Sequence, residues 1–218
     1  MNAKRQASSF YPHFSTEERP TIDYFVGLFN QVQYQETPVL TNFLNPREQE
    51  ILRAIVGNDL LVDFFGGYPN AERQRAFLQN PLNYQEPDYH IQILEVDYNQ
   101  KFTQLEHRDL NGAIHHLGLK DDVFGDLVKN AVGQWYVIVK AENAADLALN
   151  LTRVGRTSVK VKEQAHIKNL AVDDDSHEQE ILAASLRIDA ILAAATKKSR
   201  GQIQQAIAAQ EVKINWRV

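Results

Sequence analysis

The residues best equipped for chemistry lie in the stretch "TKKSRGQIQQAIAAQEVKINWRV". Lys197, Lys198 and Arg200 surround Ser199, a residue type that caps helices, and Gln202 three positions on completes a capping-box pattern. The first turn of such a helix offers backbone N–H groups to an anion, and neighbouring cations add charge for phosphate. Gln204 follows one helical turn after Arg200, and Arg187 precedes the cluster. In "VKINWRV" the alternation sets Lys213, Asn215 and Arg217 on one side of a strand, opposite Val212, Ile214, Trp216 and Val218. Together these groups fit the phosphate backbone of a nucleic acid. Contacts of that kind hold and position the ligand and read little sequence, so the expected mode is shape recognition of folded RNA.

Other segments carry weaker chemistry. In "NAERQRA", Arg73 and Arg75 offer a second RNA contact, although an ion pair with Glu72 or another acid explains them equally well. His107 and Arg108, which extend that second RNA contact, open "HRDLNG", a stretch that superficially matches the kinase catalytic loop. Ile114 occupies the position where that loop needs Asn, and neither a glycine-rich ATP loop nor Asp-Phe-Gly occurs. Asp109 also invites comparison with the catalytic aspartate of pseudouridine synthases, but a residue there opens a helix and is expected to act as its N-cap. His107, His115 and His116 lack the spacing that aims two ligands from one helix face, so no metal and no cofactor is expected. Trp135 and Tyr136 point to opposite faces of a strand, one available for stacking on a base and the other for the core.

Elements must hold these groups in place. "STEERPTIDYFVGLFNQV" reads as a helix with Ser15 and Glu18 as a capping box and Ile22, Phe25, Val26 and Phe29 buried. "NPREQEILRAIV" reads as a second, capped by Asn45, with Pro46 at its first position. "GNDLLVDFFGGYPN" reads as a short strand. Residues 1–75 are therefore expected to be mainly helical. In 76–172, "YHIQILEVDY", "KFTQLEH", "QWYVIVKA" and "TSVKVKE" read as strands, with helices over "RDLNGAIHHLGL" and "NAADLALNLTRVG". That alternation predicts an α+β domain of ferredoxin or RNA-recognition-motif type. "DDDSHEQE" (173–180) reads as an acidic linker. "SLRIDAILAAA" then reads as a helix with Leu186, Ala190, Ile191 and Ala194 on one face, paired with a second helix burying Ile203, Ala206 and Ile207.

Composition bounds the function. The chain has 218 residues, 44% hydrophobic, and a net charge of −5. Residues 181–218 hold six basic side chains against two acids, so the positive charge is local to the tail. No cysteine is present, which excludes disulfides, thiolate metal sites and thiol nucleophiles. Neither a signal-peptide pattern nor a membrane-length apolar run occurs, so a cytoplasmic protein without membrane contact is expected.

The order of residues adds to this. "SLRIDAILAAATKKSRGQIQQAIAAQEVKINWRV" resembles the S4 RNA-binding domain, whose pattern runs Arg-Leu-Asp, then Ser-Arg, then a Val-x-Val-Asn strand. Arg187, Ile188 and Asp189 match the first cluster, Ser199 and Arg200 the second, and Val212, Ile214 and Asn215 the third. The segments "HFSTEERPTIDYF", "TNFLNPREQEIL", "FFGGYPNAERQRA", "FTQLEHRDLNGAI", "LGLKDDVFGDL" and "LTRVGRTSV" are similar to successive motifs of the YlmH family of bacterial S4-domain proteins. The resemblance implies a helical N-terminal part, a middle domain like an RNA-recognition motif, and a partial S4 module over 181–218. It implies no enzyme. It implies binding to rRNA or tRNA, association with the large ribosomal subunit carrying obstructed peptidyl-tRNA, and a neighbourhood of cell-division genes. Gln210 stands where the family has glycine, Ala208 where it has lysine, and "GLKDD" replaces a more basic stretch, so that Asp121 opposes RNA contact there. The S4 pattern continues past Val218 with further strands, so the expected module is shortened.

Overall fold

The computed structural model describes residues 4–164, 178, 180–209 and 212. The chain forms two compact units, Met1–Asp173 and Asp174–Val218. The architecture is α+β.

The first unit begins with short 3-10 turns, the last of them closed by the Ser15–Glu18 capping box, in which Ser15 N–H donates to Glu18 Oε2 at 2.9 Å. Helix α1 (Arg19–Gln35) follows and buries Ile22, Phe25, Val26 and Phe29 as its spacing predicts. Helix α2 (Pro46–Val56) is capped by Asn45, whose side chain accepts from Glu48 N–H at 2.9 Å. Both helices pack on a three-stranded antiparallel sheet of β1 (Val39–Leu44), β2 (Leu61–Phe65) and β3 (Gln74–Gln79), in the order β1-β3-β2. Helix outweighs strand over 1–75, as expected, but β1 and β3 add a sheet there that the sequence did not reveal, and β3 runs through the boundary expected at 75/76. Physically, β1 is masked by a bulge between Leu40 and Phe43 that breaks its alternation. Central β3 is buried on both sides, so it shows no alternation to read.

Residues 91–164 form the second layer of this unit. Strands β4 (Ile91–Asp97), β5 (Phe124–Lys129) and β6 (Trp135–Lys140) join β9 (Lys160–Gln164) in an antiparallel sheet of order β5-β6-β4-β9. Helix α3 (His107–His116) lies between β4 and β5 in the chain, and α4 (Ala141–Asn150) follows β6. This is the expected ferredoxin-like βαββαβ order. A small hairpin of β7 (Arg153–Val154) and β8 (Thr157–Ser158) is inserted before β9. The helices cover one sheet face over Leu94, Val96, Trp135, Val137 and Val139. "KFTQLEH" is not a strand. It crosses as a loop that anchors Leu105 in the core and offers its carbonyl to Trp135 Nε1 at 3.0 Å.

The other sheet face meets the first sheet. Phe43, Val128 and Ile138 form a small buried cluster there, with Tyr68, Ile91 and Ile93 around it. Gly125 makes the approach possible, because a Cβ on it would lie 2.8 Å from Phe43 Cε1. Asp126 ties the layers together by accepting from Tyr68 Oη at 2.6 Å, Glu72 N at 2.7 Å and Arg73 N at 3.0 Å.

In the second unit, α5 (Ile188–Thr196) and α6 (Arg200–Ala208) form a helical hairpin. α5 starts at Arg187 as N-cap, later than expected, and Leu186 is 94% exposed rather than buried. Ala190 and Ile203 are the buried contacts, with Asp189 beside them. The expected linker at 173–180 lies outside the described residues except at 178 and 180, and of the expected terminal strand only Val212 is described. Among the described residues no helix is long and apolar enough to cross a membrane.

Candidate nucleic-acid interface

The turn between α5 and α6 gathers the cations the sequence singles out. Lys197 ends α5 in the left-handed conformation (φ 57°), which turns the chain sharply, and Ser199 caps α6 two residues later. Ser199 Oγ accepts from Gln202 N–H at 3.3 Å, while Gln202 Oε1 accepts from Ser199 N–H at 3.0 Å. Nothing lies within 4 Å of where a Cβ would sit on Gly201, so the flank of the first turn of α6 is uncrowded. Lys197 and Lys198 are exposed and have no acid partner among the described residues.

Asp189 organises the rest of this site. Its carboxylate is 4% exposed. Oδ1 accepts from Arg187 Nε at 3.1 Å, and Oδ2 accepts from Arg200 Nη2 at 2.8 Å and Gln204 Nε2 at 2.9 Å. The Arg200 guanidinium, then Gln204 and Arg187, hold the Asp189 carboxyl far below the usual carboxylate range. One carboxylate serves two guanidinium groups, so the cluster stays net positive. The Arg187 and Arg200 side chains remain 71% and 51% exposed, which leaves each an outward face for a ligand. Sequence reading matches Asp189 to the S4 pattern but does not select it for the site. Its signal was that it is the only acid between Arg187 and Ala208, eleven residues before Arg200. Lys213, Asn215 and Arg217 lie outside the described residues.

The second group of sequence-selected residues does not come together. Arg75 is 5% exposed, and it donates from Nε to Thr41 O at 2.8 Å and from Nη1 to Tyr89 O at 2.8 Å and His90 O at 3.1 Å. Burial lowers its pKa, and carbonyls rather than an acid satisfy it. The expectation of RNA contact at Arg75 is therefore corrected: its guanidinium is used up in joining the two layers. Arg73 donates from Nη1 to the carbonyl of Asp121 at 2.7 Å. His107 lies edge-on to Trp135 with ring centroids 6.3 Å apart, and Arg108 pairs with Glu106 at 3.1 Å. These two sit on the helix-covered side of the second sheet, away from Arg73 and Arg75. Glu106, not Asp109, is the N-cap of α3, and Asp109 closes the capping box by accepting from Glu106 N–H at 3.1 Å. Trp135 is core, and Tyr136 faces the other way beside Glu95. His115 contacts Asp121 at 3.1 Å, and among the described residues no three His, Asp or Glu side chains are grouped to hold a metal ion.

Comparison with known proteins sets this geometry in context. Residues 84–168 match the family described as "Putative RNA-binding domain in YlmH", and residues 17–81 match "YlmH, N-terminal". The break between them falls just after β3. The chain is 38% identical over 216 residues to "Ribosome-associated protein quality control protein P2" of Bacillus subtilis (strain 168), covering 97% of this chain and 82% of that one. Among solved structures it is similar to "Cell division protein ylmH from Streptococcus pneumoniae", with a TM-score of 0.60 and 27% identity over 71% of this chain and 94% of the other.

Proposed function

The chain belongs to the YlmH family, and from that premise we propose that it is a non-enzymatic protein that binds structured RNA on the large ribosomal subunit. The observation carrying this reading is the Asp189 cluster. Two half-exposed arginines are held by one buried carboxylate, beside two exposed lysines with no acid partner among the described residues and the capped start of α6. Such an array fits phosphates at fixed spacing on a folded RNA and needs no base contacts. The S4 module over 181–218 supplies the grip, and Lys213, Asn215 and Arg217 add further basic and polar groups to it in the sequence. The RNA-binding domain over 84–168 supplies a second contact.

The relative from Bacillus subtilis is named for ribosome-associated quality control, which supports rRNA or tRNA as the ligand and the handling of stalled nascent chains as the setting. The Streptococcus pneumoniae neighbour is named for cell division, which supports a link to that process. The protein acts in the cytoplasm. Crosslinking the chain in cell lysate and sequencing the recovered RNA tests the reading. Enrichment of large-subunit rRNA or of tRNA is expected. Recovery of no RNA above background, with a protein partner that still binds after the chain is cut near Asp175, would replace it with a protein-interaction adaptor.

A further inference from the structure

A ferredoxin-like sheet has one face covered by its own helices, and RNA-recognition motifs stack bases on the other. In this protein that second face is closed. Ile138 is 0% and Val128 3% exposed beneath Phe43, with Gly125 and Gly67 allowing the first layer to sit close. The part left open carries carboxylates. Glu95 stands opposite Tyr136 and accepts from Gln164 Nε2 at 2.6 Å, and Asp97 pairs with Lys162 at 2.6 Å. An RNA-binding domain whose stacking platform is occupied, and whose remaining open face balances Glu95 and Asp97 against Lys162 and Lys160, must meet phosphates beyond the centre of that face.

The β7–β8 hairpin is the place where charge is available. Segment 151–164 holds Arg153, Arg156, Lys160 and Lys162 against a single acid, Glu163, in a chain of net charge −5. Arg153, Arg156 and Lys160 are exposed, and among the described residues no acid, ring or hydrogen-bond acceptor meets their side chains. Four other cations of the same domain are engaged: Arg108 with Glu106, Lys140 with Glu142, Lys162 with Asp97, Lys129 over Trp135. The hairpin is also firmly held. Val154 and Val159 are buried in the domain core, Val159 N–H donates to Thr152 O at 2.9 Å, and Gly155 takes the positive φ (57°) of the turn. Alternation around those anchors turns Arg153, Ser158 and Lys160 outward, with Arg156 at the tip.

We propose that the β7–β8 hairpin and the adjoining start of β9 are the phosphate-binding surface of the middle domain, with Arg153, Arg156 and Lys160 each contacting the backbone of a structured RNA. This rests on the RNA-binding reading above. It places the contact on an inserted hairpin and the edge strand beside it, and not on the closed centre of the sheet face. The three positions are solvent-exposed, so substitution leaves the fold intact, which an unchanged thermal midpoint verifies.

The test is filter retention of labelled large-subunit ribosomal RNA over a salt series. It compares the full chain with Arg153→Ala/Arg156→Ala/Lys160→Ala and with a control, Lys101→Ala/Lys120→Ala, which removes exposed lysines elsewhere in the domain that have no partner among the described residues. The triple variant should bind about tenfold or more weakly at physiological salt and lose about 2 to 3 from the log–log salt slope, and the control should change neither by a comparable amount. Wild-type retention with an unchanged triple variant, or equal losses in triple variant and control, overturns the proposal while leaving the RNA-binding reading in place. A wild-type chain that retains no RNA removes that reading and the proposal with it.

Discussion

Asp189 and Arg200 stand eleven residues apart on two helices and meet through a 2.8 Å bond from Arg200 Nη2 to Asp189 Oδ2. The same oxygen takes Gln204 Nε2, and the other takes Arg187 Nε. A buried acid thus aims the basic groups, and its charge is the smaller part of its effect. Replacing Asp189 with Asn should weaken binding to structured RNA by about tenfold, although the change makes the tail more positive. Titration of a labelled RNA stem with each protein, alongside circular dichroism of the helices, checks this. Tighter binding by the Asn variant would mean that Asp189 merely repels phosphate.

Arg75 joins the two layers of the first unit through three carbonyls. Arg75→Ala leaves those acceptors without a donor and opens a cavity, which should cost about 3 kcal/mol of stability. Urea unfolding measures it, and RNA affinity per folded molecule should be unchanged.

Gly125 faces the ring of Phe43 across the same junction. A methyl group there meets aromatic carbon at 2.8 Å, so Gly125→Ala should destabilise the chain by about 1–3 kcal/mol as the layers move apart. Pairing it with Phe43→Leu should recover part of the loss in the same unfolding measurement.

Burial raises the Glu48 carboxyl above its ordinary value of 4.5, against the opposing pull of the Asn45 N–H. A carboxyl with a raised pKa holds its proton better folded than unfolded. Its contribution is therefore full below the ordinary value and is lost as pH rises through the raised one. Gln at this position keeps the capping box and removes the buried charge. Glu48→Gln should match the wild type near about pH 4 and exceed its thermal midpoint by about 2 °C near about pH 8. Equal midpoints at both pH values would contradict this.

What the sequence made legible follows from how regular each element is. α1 and α2 carry full apolar stripes with caps, and their buried residues are those the spacing selects. β4 and β6 are runs rich in β-branched and aromatic residues and were readable. β1 and β5 were not, and both are bulged, at Leu40/Phe43 and Phe124/Leu127, so the two-residue period fails in the middle of each strand. Those bulged strands are also where the layers meet, a long-range feature that no local pattern encodes. In the tail, the Ser199 cap and the Arg200–Gln204 spacing were visible in the residue order. The buried role of Asp189 was not, because an acid in a helix's first turn is usually read as a solvated partner of the dipole.

The central claim is that the α5–α6 turn grips phosphates, and the salt dependence of RNA binding tests it most directly. Lys198→Ala/Arg200→Ala should weaken binding to unrelated structured RNAs alike and reduce the log–log salt slope by about 1.5. A double variant with the affinity and slope of the wild type would contradict it.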